Sequence, residues 1–153
     1  MSDASKRQVL AAAERVFDAD PANVWAMIAD PSRVGEWAGV VMVGYMGTEL
    51  PKVGHSLFVR PSWWRWLART RRVEIEAWDA GAKVRCRIYD NRWFAPIGFE
   101  LSVRSEVVDD GIATRVRLVQ RMDVAPPIAG VVGWWADQQL RRRMNRIGRA
   151  VQK

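Results

Sequence analysis

The sequence predicts an α+β fold: a curved antiparallel sheet of about seven strands wrapped around a long C-terminal helix, with two short helices after the first strand. Three observations carry this expectation. Near the chain end Ile128, Val132, Ala136, Leu140, Met144, Ile147 and Val151 recur at steps of three or four residues, the period of a helix with one apolar stripe. Several middle segments alternate apolar and polar residues, as in an antiparallel sheet with one face covered and one solvated. Between these patterns, Asp20-Pro21 and Asp30-Pro31 pair an N-capping residue with a proline suited to the first helical position.

Taken in order, Gln8 to Asp18 reads as a first strand, although Ala11-Ala12-Ala13-Glu14 is equally helical on propensity. A short helix follows Asp20 through Val24, Trp25, Met27 and Ile28, and a second helical turn runs from Pro31 to about Trp37. Gly39 to Thr48 is strand-like and is ended by Gly47 and Pro51; Gly54 to Arg60 makes a third strand. Arg71 to Trp78 sets Val73, Ile75 and Ala77 against Arg72, Glu74 and Glu76. Lys83 to Tyr89 opposes Val84, Cys86 and Ile88 to Lys83, Arg85 and Arg87. From Gly98 to Val108, Phe99, Leu101, Val103 and Val107 point inward, and Asp109-Asp110-Gly111 makes a hairpin turn. Ile112 to Met122 returns with Thr114, Val116, Leu118, Gln120 and Met122 inward. Pro126 and Pro127 open the last helix, and if residues 127 to 152 are all helical it is roughly 39 Å long.

A chain of 153 residues with 49% hydrophobic and 27% charged content is expected to form one globular domain over its whole length. No apolar run approaches the roughly 18 residues of a membrane span, and the N-terminus lacks a signal-peptide core, so the expected location is the cytoplasm. One cysteine, Cys86, and one histidine, His55, argue against a disulfide or a zinc site, and neither metal nor tightly bound cofactor is expected. The net charge is +7, and nine tryptophans are more than packing alone requires. Large aromatics lining a cavity or its mouth are their natural use.

Asp18-Ala19-Asp20-Pro21-Ala22-Asn23-Val24-Trp25, followed by Asp30-Pro31 and Trp37, resembles the START-like, helix-grip superfamily, also labelled SRPBCC. Within it the chain is similar to the bacterial polyketide cyclase/dehydrase-like proteins. Val53-Gly54, the Val73 to Trp78 strand, Asp110-Gly111 with Thr114, and the terminal helix match further on, so the resemblance spans roughly residues 8 to 151. It implies a helix-grip fold, with an apolar ligand held between sheet and C-terminal helix. The reaction, if any, is not implied.

On such a fold the inward residues line either core or cavity, and the expected ligand-binding set is Trp37, Tyr45, Cys86, Val103, Gln120, Val132 and Trp135. Gln120, and Asp90 beyond Ile88, are polar groups in an inward register that need a partner, a water, a ligand or a strand end. The Tyr45 hydroxyl either orients a ligand or sits in core or rim. His55 has no sequence-adjacent nucleophile or carboxylate, and Cys86 reads as a small buried hydrophobe. No glycine-rich phosphate loop, nucleophile elbow or paired-carboxylate arrangement is present.

Trp63, Trp64 and Trp66 lie among Arg60, Arg65, Arg69, Arg71 and Arg72, a pattern that could bind single-stranded nucleic acid or a membrane interface. Sheet and cavity rim are the preferred reading, without specific nucleic-acid binding or membrane insertion. Arg141, Arg142, Arg143, Arg146 and Arg149 read as a solvated basic face complementing the helix C-terminus. Of the two adjacent tryptophans, Trp135 aligns with Ile128 and Val132 and Trp134 does not. The sequence therefore predicts a monomer or homodimer that binds a small apolar or aromatic molecule. Its rival is a polyketide cyclase- or dehydratase-type enzyme built from scattered cavity residues, for which an inward base beside a donor, such as His55 or Asp90 near Gln120 or Tyr45, would be the mark.

Overall fold

In the computed structural model the described residues are 7–46, 53–61, 70–89, 96–109 and 111–152. Asp90, Asp110 and the Trp63–Trp66 segment lie outside them. The strands are β1 (Arg7–Phe17), β2 (Val40–Met46), β3 (Ser56–Pro61), β4 (Arg71–Asp79), β5 (Lys83–Tyr89), β6 (Ile97–Val108) and β7 (Gly111–Val124). The helices are α1 (Pro21–Ala29), α2 (Val34–Ala38) and α3 (Ala129–Val151), with 3-10 turns at Pro31–Arg33 and Pro126–Ile128. One antiparallel sheet runs β1-β7-β6-β5-β4-β3-β2. Its curved inner face holds α1, α2 and α3, which is the expected α+β architecture. The Ala11–Glu14 stretch is strand, because pairing along all of β7 overrides its helical propensity. No helix among the described residues is long and apolar enough to cross a membrane.

The helix starts follow from local chemistry. The Asp20 carboxylate accepts the Ala22 N–H at 3.3 Å, and Asp30 accepts the Ser32 N–H at 2.9 Å and its hydroxyl at 2.6 Å. Each satisfies an N–H that the helix leaves unpaired. Thr114, fully buried on β7, donates to the Ala19 carbonyl at 2.7 Å and fixes the link between β1 and α1. Helix α2 ends at Gly39, whose φ of 71° suits glycine. A Cβ there would fall 1.7 Å from an Arg146 guanidinium nitrogen, which would have to move aside.

Helix α3 runs along β1 and β7. The expected apolar row holds in its second half, where Ala136, Leu140, Met144 and Ile147 are buried. Val132 packs against the core as well, whereas Ile128, before the helix, is 44% and Trp135, expected to widen the row, 41% exposed. The helix comes close to β1 at Gly148, where a Cβ would stand 3.0 Å from the Phe17 ring, and a Cβ on Gly133 would make ordinary contact with Val9 at 3.4 Å. The first turns of α3 thus follow β1 at the sheet edge, leaving Ile128, Val131 and both tryptophans at the surface.

Two expected inward positions, Ala77 and Val107, also differ from the prediction. A β-bulge between Ile75 and Ala77 places Ala77 opposite Arg85 and Trp78 opposite Val84. The inward residue is therefore Trp78, not Ala77. The β6–β7 hairpin projects past the core, so Val107, expected inward, is 88% exposed opposite Ile112. Over the outer face, Glu76 pairs with Arg87 at 2.7 Å and Arg85 at 3.7 Å, and Arg115 bridges Glu14 and Glu106.

Candidate functional site

Between the inner sheet face and the helices lies a cavity of about 120 Å³. Its floor is made by Leu57 and Val59 of β3, Val73, Ile75 and Trp78 of β4, Val84, Cys86 and Ile88 of β5, and Phe99 of β6. Ile28, Val34, Trp37 and Ala38 of the helical segment close one side, and Arg143 of α3 enters from another. The alternation of β4 and β5, modified by the bulge, turns this apolar set to one face. Trp78 meets Trp25 of α1 edge-to-face at 5.4 Å, which anchors the helical cover to the sheet. A larger open depression of about 540 Å³ crosses the outer sheet face, but it is lined by the paired charges of Glu76, Arg85 and Arg87. That surface is open and mostly polar, whereas the inner cavity is walled by apolar side chains and is the candidate site.

Two polar atoms of the cavity wall have none. Trp37 Nε1 and Arg143 Nε are shielded from solvent and make no hydrogen bond among the described residues. Trp37 stacks on Phe99 with ring centroids 6.5 Å apart and planes at 24°, and the Arg143 guanidinium carbon lies 5.4 Å from the same ring. Burial, reinforced by the positive charges of Arg71 and Arg146, pulls the Arg143 pKa down to about 10. Arg143 remains a cation at neutral pH. Burial, followed by the negative charge of Glu76, pushes the Cys86 thiol up to about 12. The thiol is therefore protonated at neutral pH and serves as wall, not nucleophile. No group of three or more His, Cys, Asp or Glu among the described residues could hold a metal.

Of the residues that the sequence nominates, Trp37 and Cys86 line this cavity and the other five do not. Val103 is buried in the core opposite Val116. Gln120 lies opposite Phe99, one strand beyond the wall, and its side-chain amide points to the Met122 sulfur at 3.1 Å. Val132 is half-buried and Trp135 half-exposed on the part of α3 that follows β1, away from β3, β4 and β5. Tyr45, on edge strand β2, turns to His55: its hydroxyl is 2.7 Å from Nδ1, with the rings edge-to-face at 5.7 Å. Burial raises the Tyr45 pKa, so the phenol keeps its proton.

Trp78 and Arg143 are the wall residues that the sequence assigns elsewhere. The bulge hides Trp78. Arg143 is placed on the solvated basic face, yet it stands three residues after Leu140 and four before Ile147, a helical spacing that puts it beside the buried stripe.

No protein-family model matches the chain, and no curated protein matches it. Solved structures do. A truncated norcoclaurine synthase from Thalictrum flavum is similar with a TM-score of 0.72 and 11% identity, over 99% of this chain and 98% of that one. The same enzyme in complex with dopamine and hydroxybenzaldehyde gives a TM-score of 0.70 and 12% identity, over 96% of this chain and 88% of that one. DynU16, a protein of the dynemicin biosynthetic locus, gives 0.68 and 14% identity over 94% of this chain. This chain spans about half the length of DynU16, 47%. These likenesses concern architecture, and they show that the chain has the helix-grip fold.

Proposed function

We propose that the protein binds a small, single-ring aromatic molecule in the cavity between β3–β6, the α1–α2 segment and α3. The observation that carries this reading is the cavity itself: about 120 Å³ and walled by aliphatic and aromatic side chains around two polar ones. An apolar cavity of about 150 Å³ stays dry and accepts benzene, so one ring is the size class. Phe99 and Trp37 supply flat faces for it. The norcoclaurine synthase complex holds two single-ring compounds, dopamine and hydroxybenzaldehyde, which supports the size class by analogy of fold alone.

Cys86→Leu tests this reading, because it pushes extra carbon into the cavity from the middle of its floor. Binding of phenol, followed by tryptophan fluorescence, is expected to weaken at least about tenfold while the circular dichroism spectrum is kept, overpacking costing about 1–3 kcal/mol in stability. Unchanged phenol affinity in the folded variant would place binding elsewhere.

A second reading, an enzyme of the polyketide cyclase or dehydratase type, is favoured by one observation, the Tyr45–His55 pair. With the phenol donating to Nδ1, the imidazole of His55 carries its proton on Nε2. The pair sets an imidazole beside a phenol, the base-and-donor arrangement such an enzyme would use. It does not line the cavity, so the binding reading comes first.

A further inference from the structure

We infer that the molecule taken by this cavity is an acid, a single aromatic ring bearing a carboxylate that is received by Arg143 and by the indole N–H of Trp37. This rests on the binding reading above and goes beyond it by fixing the polar end of the ligand.

The argument starts from what buried polar groups require. Buried donors in folded proteins are almost always paired, and an unpaired one costs stability. Here two, Arg143 Nε and Trp37 Nε1, line one cavity and have no partner among the described residues. Neither group can accept a hydrogen bond, so the missing partner must be an acceptor. That excludes an ammonium group at this end of the ligand. No Asp or Glu lines the cavity among the described residues, so the guanidinium charge has no counter-ion there.

Charge then selects among acceptors. Arg71 and Arg146 are close enough to act electrostatically on Arg143, which makes this corner of the cavity cationic. A carboxylate answers both needs, because its two oxygens match the guanidinium fork and leave a lone pair for a further donor. Geometry connects the charged end to the apolar one. Arg143 and Trp37 both lie against Phe99, at 5.4 Å and 6.5 Å. A ring seated on the floor of β4 and β5 can therefore present its acid group to both donors.

The test compares benzoate with its uncharged near-isostere benzamide, by calorimetry on the full chain. Wild type is expected to prefer benzoate by about tenfold or more, the usual advantage of a charge-assisted pair out of water. Arg143→Met should abolish the preference, leaving the two affinities within about twofold while benzamide still binds. Arg143→Lys, which keeps the charge without the fork, should retain part of it and serves if the methionine variant misfolds. Trp37→Phe should weaken benzoate about threefold or more by removing one donor. Equal wild-type affinities for the two probes, or a benzoate preference that survives Arg143→Met, would overturn the inference and leave cavity binding intact. Failure of both probes to bind wild type would overturn the binding reading as well.

Discussion

Leu140→Ala is expected to destabilise the protein by about 2–5 kcal/mol, and Trp134→Ala, six residues earlier on the same helix, by no more than about 0.5 kcal/mol. Leu140 is fully buried and sits in the middle of the α3 row with Ala136, Met144 and Ile147. Its removal leaves a cavity under the buried row of α3. Trp134 is 66% exposed, and its truncation opens nothing. Trp135, at 41% exposure, should fall between them. Urea denaturation gives all three values, and a chain of this length should show about 2–4 °C of melting-temperature change per kcal/mol. A Trp135→Ala loss as large as that of Leu140→Ala would mean that the first half of α3 is buried after all.

Arg143→Met is expected to stabilise the ligand-free protein. Desolvation pulls the Arg143 pKa down to about 10, a cost of a few kcal/mol at most in order of magnitude. The sign follows from linkage. The unfolded chain holds this proton more tightly than the folded one, so unfolding takes up protons between the two pKa values and stability rises with pH across that window. Below about pH 10 the penalty is present in full. Methionine keeps the unbranched stem in place and removes the charge, and replacing buried ions by apolar groups of similar shape is often stabilising by about 1–4 kcal/mol. The lost contact with Phe99 offsets part of that gain, so a net rise of about 1–3 kcal/mol at neutral pH is expected. A fall of more than about 1 kcal/mol would show that Arg143 is already compensated in the unbound state.

The strands and helices were legible because each rests on a local rule. Asp20-Pro21 and Asp30-Pro31 cap as their chemistry dictates, and β5 and β7 bury the residues that alternation assigns. The cavity was legible only in part, since its wall depends on events that no local rule encodes. A single extra residue in β4 exchanges Ala77 for Trp78. Where a helix crosses a sheet decides which part of an apolar row is covered, and at Gly148 that crossing brings α3 tight against Phe17 of β1. Arg143 illustrates the remaining difficulty. Among several arginines, composition reads a solvated face, and only the packing of α3 over Phe99 separates the one whose Nε is buried. Tyr45 and His55, ten residues apart, meet because β2 and β3 pair with Tyr45 opposite Leu57.

The most direct test of the central claim is a methyl-detected NMR titration of the protein with phenol. Saturable shifts are expected at Val59, Val73, Ile75 and Ile88, with little change at Val131 on the exposed part of α3 or at Val107 on the projecting hairpin. Their onset should follow a single binding curve, because one cavity of about 120 Å³ holds one ring. Shifts centred on Val131, or the absence of any saturable shift at the cavity wall, would contradict the account.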